Sequence, residues 1–191
     1  MKEFIKSLKK IFKQKKGFTL IELLVVIGIL GILAAALVAT IDPVEQLNKA
    51  TDANVKNTVV EYITANIRYF TTHQAMPWAD LTAPASCYTS PPVVPSGAAL
   101  STAQMIGCTG ALISDGELKT SFSTATNILK NINITGGANN AVIGCFIPVS
   151  KSQLKDQNTK YNITGTPYAT PTTTCKGWGG SGVTDCYWCT Q

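Results

Sequence analysis

Histidine and clustered carboxylates, on which much enzyme chemistry depends, are scarce in this chain of 191 residues. His73 is the single histidine, so a serine or cysteine nucleophile paired with histidine would have to use it. Without an identifiable partner, it is expected to be a solvated side chain. Asp185 stands far from the next carboxylate, Asp156, which argues against a calcium site. Residues 177–182 fit G-x-G-x-x-G, but no βαβ unit surrounds them. We therefore expect no enzyme activity, no metal and no cofactor.

Charge is nearly absent from residues 18–41, where Glu22 is the only charged side chain. A helix of this length, at about 1.5 Å per residue, covers the roughly 30 Å hydrocarbon core of a bilayer. Residues 1–17 contain seven lysines and one glutamate, and such lysines keep the N-terminus in the cytoplasm. The sequence predicts a single-pass cytoplasmic membrane protein with its N-terminus inside and its C-terminus outside.

The junction between the lysine-rich segment and the apolar run carries the most specific signal. Residues 15–22 read Lys-Lys-Gly-Phe-Thr-Leu-Ile-Glu, so the small residue Gly17 precedes the apolar run, whereas a secretory signal peptide is cut behind it. This order resembles the class III signal of type IV prepilins and pseudopilins, over about the first 60 residues after the cut. The resemblance implies that prepilin peptidase cuts after Gly17 and methylates Phe18. It also implies that Glu22 is the family's acidic residue, fifth after the cut.

The alternative is a signal-anchored protein in which this string arose by chance. That alternative gives no reason for Glu22, because a charge at mid-bilayer costs roughly 2.5–3.5 kcal/mol and marks a functional residue. We expect the carboxylate to pair with the amine of Phe18 on an adjacent subunit, the rival being a favourable position at a helix N-terminus. Small residues four apart let helices approach closely. The residues predicted to take part in assembly are Thr19, Glu22, Gly31, Ala35 and Ala39.

Beyond the apolar run, apolar residues recur at steps of three and four over residues 42–72. This spacing predicts an amphipathic helix that continues the membrane helix. Gly28, Gly31 and Pro43 predict a bend or a loosened turn in it. Without residues 1–17 the chain has 9 basic and 10 acidic side chains, so no nucleic-acid-binding surface is expected.

The remaining sequence is long enough for one compact domain. Residues 79–110 are expected to form a long surface loop, and residues 115–129 a short piece that includes helix. Candidate strands are alternating Ile132 and Ile134, then residues 141–149, 161–164 and 186–190. The prediction is an α+β fold of the type IV pilin kind, with a long N-terminal helix on a small antiparallel sheet. Its parts are a leader (1–17), a membrane and assembly helix (18–41), an amphipathic continuation (42–72) and a disulfide-containing globular part (73–191).

All six cysteines lie on the side expected to be translocated, and an even number in an oxidising compartment predicts disulfides. Proximity favours Cys87 with Cys108, and Cys175 with one of the last two. Zinc at this C-terminal group would need thiolates kept reduced outside the cell, and a redox dithiol would need a helix after it. The disulfide candidates are Cys87, Cys108, Cys145, Cys175, Cys186 and Cys189.

The functional prediction is a structural subunit that polymerises through its N-terminal helix into a type IV pilus. The alternatives are a type II secretion pseudopilin or a minor or competence pilin, and a non-polymerising signal-anchored binding module. The expected partners are other copies of the chain in a helical fibre, prepilin peptidase and the pilus or secretion assembly machinery. The chain is expected in the membrane before assembly and in an extracellular pilus afterwards.

Overall fold

A computed structural model describes residues 17–40, 42–137, 140–176, 182 and 184–190. The chain divides into two compact units, Met1–Pro43 and Val44–Gln191. In the N-terminal unit, helix α1 spans Leu20–Thr40 and passes through Gly28 and Gly31 without interruption. Every α1 side chain that the structure describes is exposed, and Leu20–Val38 is long and apolar enough to cross a membrane.

Helix α2 spans Pro43–His73 and carries the amphipathic pattern expected from the sequence. Asp42 lies outside both helices, and Pro43 is the first residue of α2, where its missing N–H would have no intrahelical partner anyway. The bend predicted from the two glycines and this proline stays a prediction. The buried face of α2 consists of Asp52, Val55, Val59, Tyr62, Ile63, Ala65, Asn66 and Tyr69.

The sheet has five antiparallel strands in the order β1-β2-β3-β5-β4. Their bounds are β1 Ala98–Ala99, β2 Ile132–Gly136, β3 Val142–Phe146, β4 Thr159–Tyr161 and β5 Tyr187–Thr190. Gly144 lets α2 lie close to β3, because a Cβ there would stand 2.4 Å from Cγ1 of Val59. Ile132, Ile134, Phe146 and Trp188 belong to the same buried core as α2. The predicted α+β class is therefore confirmed.

Shorter helices connect and cover the strands. They are α3 Ala103–Ser114, a 3-10 turn Thr120–Thr124, α4 Thr126–Leu129, α5 Lys151–Leu154 and α6 Pro171–Thr174. The expected surface loop at 79–110 is wrong over its last part, which contains β1 and most of α3. Gly107 in α3 faces Ser86, and a Cβ there would meet its backbone at 2.6 Å, so this glycine allows close packing. The strand expected at 161–164 ends at Tyr161, because Asn162 accepts hydrogen bonds from Thr164 and Thr166 and forms a turn.

Three disulfides fasten the C-terminal unit. Cys87–Cys108 joins the segment after α2 to α3, and Cys175–Cys186 closes a loop of 11 residues in sequence separation. These are the pairings that proximity favours. Cys145–Cys189 joins two residues that face each other across β3 and β5, with a separation of 44. All six cysteines are therefore bonded in this structure.

Candidate functional site

The first turn of α1 is organised by a reciprocal pair of hydrogen bonds between Thr19 and Glu22. The backbone N–H and the hydroxyl of Thr19 donate to Oε2 of Glu22, at 2.9 and 2.8 Å. The backbone N–H of Glu22 donates in turn to the Thr19 hydroxyl at 3.3 Å. Thr19 directly precedes the first helical residue, so the two form a capping box that satisfies free N–H groups at the start of the helix.

This capping box bears on the two interpretations of Glu22. The carboxylate contributes to the helix N-terminus within one chain, as the rival account requires. Both hydrogen bonds go to Oε2, and Oε1 makes none with any residue that the structure describes. The arrangement therefore leaves one carboxylate oxygen available to a second molecule. The T-x-x-E spacing was visible in the sequence, but its capping role was missed there.

The expected processing site lies just before α1. Gly17 and Phe18 are outside any helix, and both are exposed. Apart from its neighbours in the chain, no described residue has an atom within 4 Å of a Cβ built on Gly17, and the Phe18 side chain is largely exposed. The bond between them is accessible within the described part of the chain. Residues 1–16 of the expected leader lie outside that part.

Exposed apolar side chains surround the capping box and continue along α1. Phe18, Ile21, Val25 and Val26, together with Glu22, line an open depression of about 340 Å³. Further along, no described residue outside the local helix backbone has an atom within 4 Å of a Cβ built on Gly28 or Gly31, so this surface is open to other helices. Ala35 is exposed in the same helix, while the side chain of Ala39 lies outside the described residues.

His73 is exposed at the end of α2, as the sequence suggested, but it has partners that the sequence did not reveal. Its two ring nitrogens lie within 3.1 Å of carboxylate oxygens of Asp80 and Asp115. These partners could not be identified from the sequence because they are 7 and 42 residues away in it. Among the described residues, no serine hydroxyl bonds to the imidazole, and no group of three or more His, Cys, Asp or Glu could hold a metal.

Among the comparisons with known proteins, a match to one family model was found. The family model for the prokaryotic N-terminal methylation motif matches residues 12–38. The matched segment contains the expected cleavage site, the capping box and most of α1. No curated protein and no solved structure matches the chain significantly.

Proposed function

We propose that this chain, which carries the class III signal of type IV pilins and pseudopilins, is a pilin that polymerises into a type IV pilus. The motif supports a type IV pilin-like or pseudopilin protein. The observation that supports a polymerising pilin is the exposure of the apolar helix α1. Its membrane-length segment, Leu20–Val38, lies within the matched methylation motif and is not buried against any other part of the chain that the structure describes. Such a surface needs lipid before assembly and other apolar helices after it.

Processing is the first step of the proposed pathway. Prepilin peptidase cuts between Gly17 and Phe18 on the cytoplasmic side and methylates the new N-terminal amine. The bond lies in a non-helical stretch, which suits a peptidase that binds extended backbone. The cut removes the lysine-rich leader and creates a positive charge at Phe18, four residues before Glu22.

The proposed assembly step pairs that amine with Glu22 of an adjacent subunit. At about 4 Å and an effective dielectric of 20, two unit charges attract by roughly 4 kcal/mol before the cost of desolvation. The capping box contributes only about 0.5–2 kcal/mol and acts within one chain. The intersubunit pair is thus large enough to select one axial offset between neighbouring helices. The small side chains of Gly31 and Ala35 allow those helices to approach closely.

The two roles of Glu22 can be separated by variants of the same box. Glu22→Gln keeps a side-chain oxygen for capping but removes the charge, since glutamine also serves in capping boxes. Thr19→Ala removes the capping hydroxyl and keeps the carboxylate. We expect Glu22→Gln to be processed and inserted but to yield few or no fibres. Thr19, which the sequence predicts to take part in assembly, acts in this proposal only by capping α1, so Thr19→Ala should retain most of the wild-type yield.

The assay is fibre yield by shearing and electron microscopy, with intact mass as the control for cleavage and methylation. Wild-type fibre yield from Glu22→Gln would overturn the intersubunit role. A cell-surface chain that still begins at Met1 with active peptidase would overturn the pilin proposal itself and favour the signal-anchored module. Pseudopilins carry the same motif, so processing does not separate them from pilins. Native expression that gives short assemblies and no long fibres would favour the pseudopilin alternative.

A further inference from the structure

His73 is the last residue of α2, and its imidazole lies between carboxylates from two other segments. Nδ1 is 2.9 Å from Oδ2 of Asp80, in the turn after α2, and Nε2 is 3.1 Å from Oδ1 of Asp115, the residue after α3. The ring of Tyr69 stacks on the imidazole, with centroids 4.0 Å apart and planes 3° from parallel. The titratable groups that face the imidazole are these two carboxylates and this phenol.

This geometry favours a charged imidazole. Nε2 is hydrogen-bonded to Asp115, and Nδ1 lies at ion-pair distance from Asp80. A neutral imidazole has one N–H and one lone pair, whereas the imidazolium presents an N–H and a positive charge toward both carboxylates. When the ring is neutral, a lone pair must face one of the two carboxylates. Consistent with this, the hydrogen bond with Asp115 raises the pKa of His73; partial burial opposes the rise, and the charges of both carboxylates add to it.

The two carboxylates differ in how firmly they are held. The side chain of Asp80 is 8 % exposed and also accepts hydrogen bonds from the hydroxyl of Tyr69 and from the N–H and hydroxyl of Thr82. The side chain of Asp115 is 30 % exposed, and its carboxylate bonds to His73. A neutral imidazole should therefore keep its proton on Nδ1, toward Asp80, because that buried carboxylate cannot turn to water. The more exposed carboxylate of Asp115 can turn to water when the lone pair of Nε2 faces it.

We propose that the contact between Nε2 of His73 and Asp115 is a pH-dependent latch between the end of α2 and the turn at residues 115–118. The latch is closed while the imidazole is charged and opens when it becomes neutral. Its contribution is fully present below the ordinary histidine pKa of about 6.5 and is lost as the pH rises through the raised pKa. The latch lies wholly within the C-terminal unit, so it does not depend on polymerisation.

Opening of the latch has a local consequence. His73 and Asp115 line a cavity of about 170 Å³ together with Thr82, Pro84 and Ser114. When Asp115 turns to water, this cavity loses part of its wall. The turn itself stays tethered, since Arg68 of α2 donates to the side chain and backbone oxygens of Glu117. The latch therefore adjusts one surface of the domain without unfolding it.

The protonation state can be read directly, because the chain has a single histidine. Full-length protein with ¹⁵N-labelled histidine in detergent micelles is titrated by NMR. We expect both ring nitrogens to be protonated at low pH, a pKa above about 6.5, and a neutral form with its proton on Nδ1. A neutral form with its proton on Nε2, or a pKa at or below the ordinary value, would overturn the proposal.

Amide hydrogen exchange tests whether the turn responds. The N–H groups of Glu117 and Leu118 bond to the carbonyl oxygen of Leu112, at 2.9 and 3.1 Å, and report on the turn. After correction for intrinsic rates, their opening should rise about tenfold for each unit by which the His73 pKa exceeds its ordinary value.

Two variants make the exchange result specific. Asp115→Asn should abolish the pH dependence, because its amide can accept from N–H or donate to the lone pair. Glu117→Gln should loosen the turn but leave the pH dependence unchanged, because it does not touch the imidazole. Equal pH dependence in wild type and Asp115→Asn, or none in wild type, would refute the latch.

Discussion

Asp52 offers a quantitative test of how α2 is joined to the rest of the C-terminal unit. Its side chain is buried on α2, and the residue is only 4 % exposed. The carboxylate accepts hydrogen bonds from the N–H groups of Val149 and Ser150, both at 2.9 Å, and from the Ser150 hydroxyl. Ser150 is also the N-cap of α5. One buried carboxylate therefore orders the segment after β3 and the start of the next helix.

Asp52→Asn keeps the shape of the side chain but changes its bonding. The amide has one accepting oxygen, so either the buried donors of Ser150 or the partly buried N–H of Val149 lose their partner, at a cost of about 1–3 kcal/mol. The hydrogen bonds that remain lose the extra strength given by the charge. We expect a total loss of about 2–4 kcal/mol, a large fraction of the 5–15 kcal/mol that stabilises an ordinary domain.

Urea unfolding of the full-length protein in detergent micelles, followed by tryptophan fluorescence, measures this loss. Trp78 and Trp188 are both buried in the C-terminal unit and report on its core. With a slope of about 2 kcal/mol per molar urea, the midpoint should fall by about 1–2 M. An unchanged midpoint for Asp52→Asn would refute the assigned role of the carboxylate.

Glu45→Gln is the matched control for this experiment. Glu45 lies on the same helix and accepts from the N–H groups of Lys151 and Ser152, at 3.1 and 3.3 Å, but at a more exposed position. Because water can replace these bonds, the loss should be below about 1 kcal/mol. Equal destabilisation by the two variants would mean that burial of Asp52 is not what makes its bonds matter.

Two further predictions concern packing and cross-links. Gly144→Ala should lower the unfolding free energy by about 1–3 kcal/mol, because its Cβ would overlap Val59. Gly110→Ala, at an open helical position, is the control and should raise the unfolding free energy by about 0.5–1 kcal/mol. No loss of stability for Gly144→Ala in the same urea assay would contradict the close approach of α2. Replacing Cys145 and Cys189 with alanine should lower the unfolding free energy by about 4 kcal/mol, and replacing Cys175 and Cys186 by about 3 kcal/mol, because the longer loop restricts the unfolded chain more. A larger loss from the Cys175–Cys186 pair would contradict that account.

The sequence predicted the elements with strong periodicity and missed those shaped by tertiary contact. Helix α2 follows from apolar residues that repeat over a long stretch, β2 from the alternation of Ile132 and Ile134 with asparagines, and β3 from an apolar run. Helix α3 was missed because Gly107 and Gly110 lower helix propensity by about 1 kcal/mol each, and the compensation lies elsewhere. Gly107 packs against Ser86, a neighbour that no local pattern reveals. Strand β1 has two residues, too few for any alternation.

The candidate site divides in the same way. The motif around Gly17, Phe18 and Glu22 is contiguous in sequence, so it could be read without a fold. The carboxylates that flank His73 come from separate segments, and only folding brings them to the imidazole. The sequence therefore showed a single histidine but not its two carboxylate partners.

The position of β5 sets an order on the maturation of the protein. This strand lies between β3 and β4, so β4 has no neighbour in the sheet until residues 187–190 have arrived. If the C-terminal unit crosses the membrane beginning with the residues that follow α1, the edge of β3 stays unpaired while more than 40 residues follow, and unpaired edges invite pairing with other chains. The disulfide between Cys145 and Cys189 can form once β5 has paired with β3. A subunit interrupted before residue 187 would lack the β3–β5 and β4–β5 pairings, and Cys145 would remain a thiol.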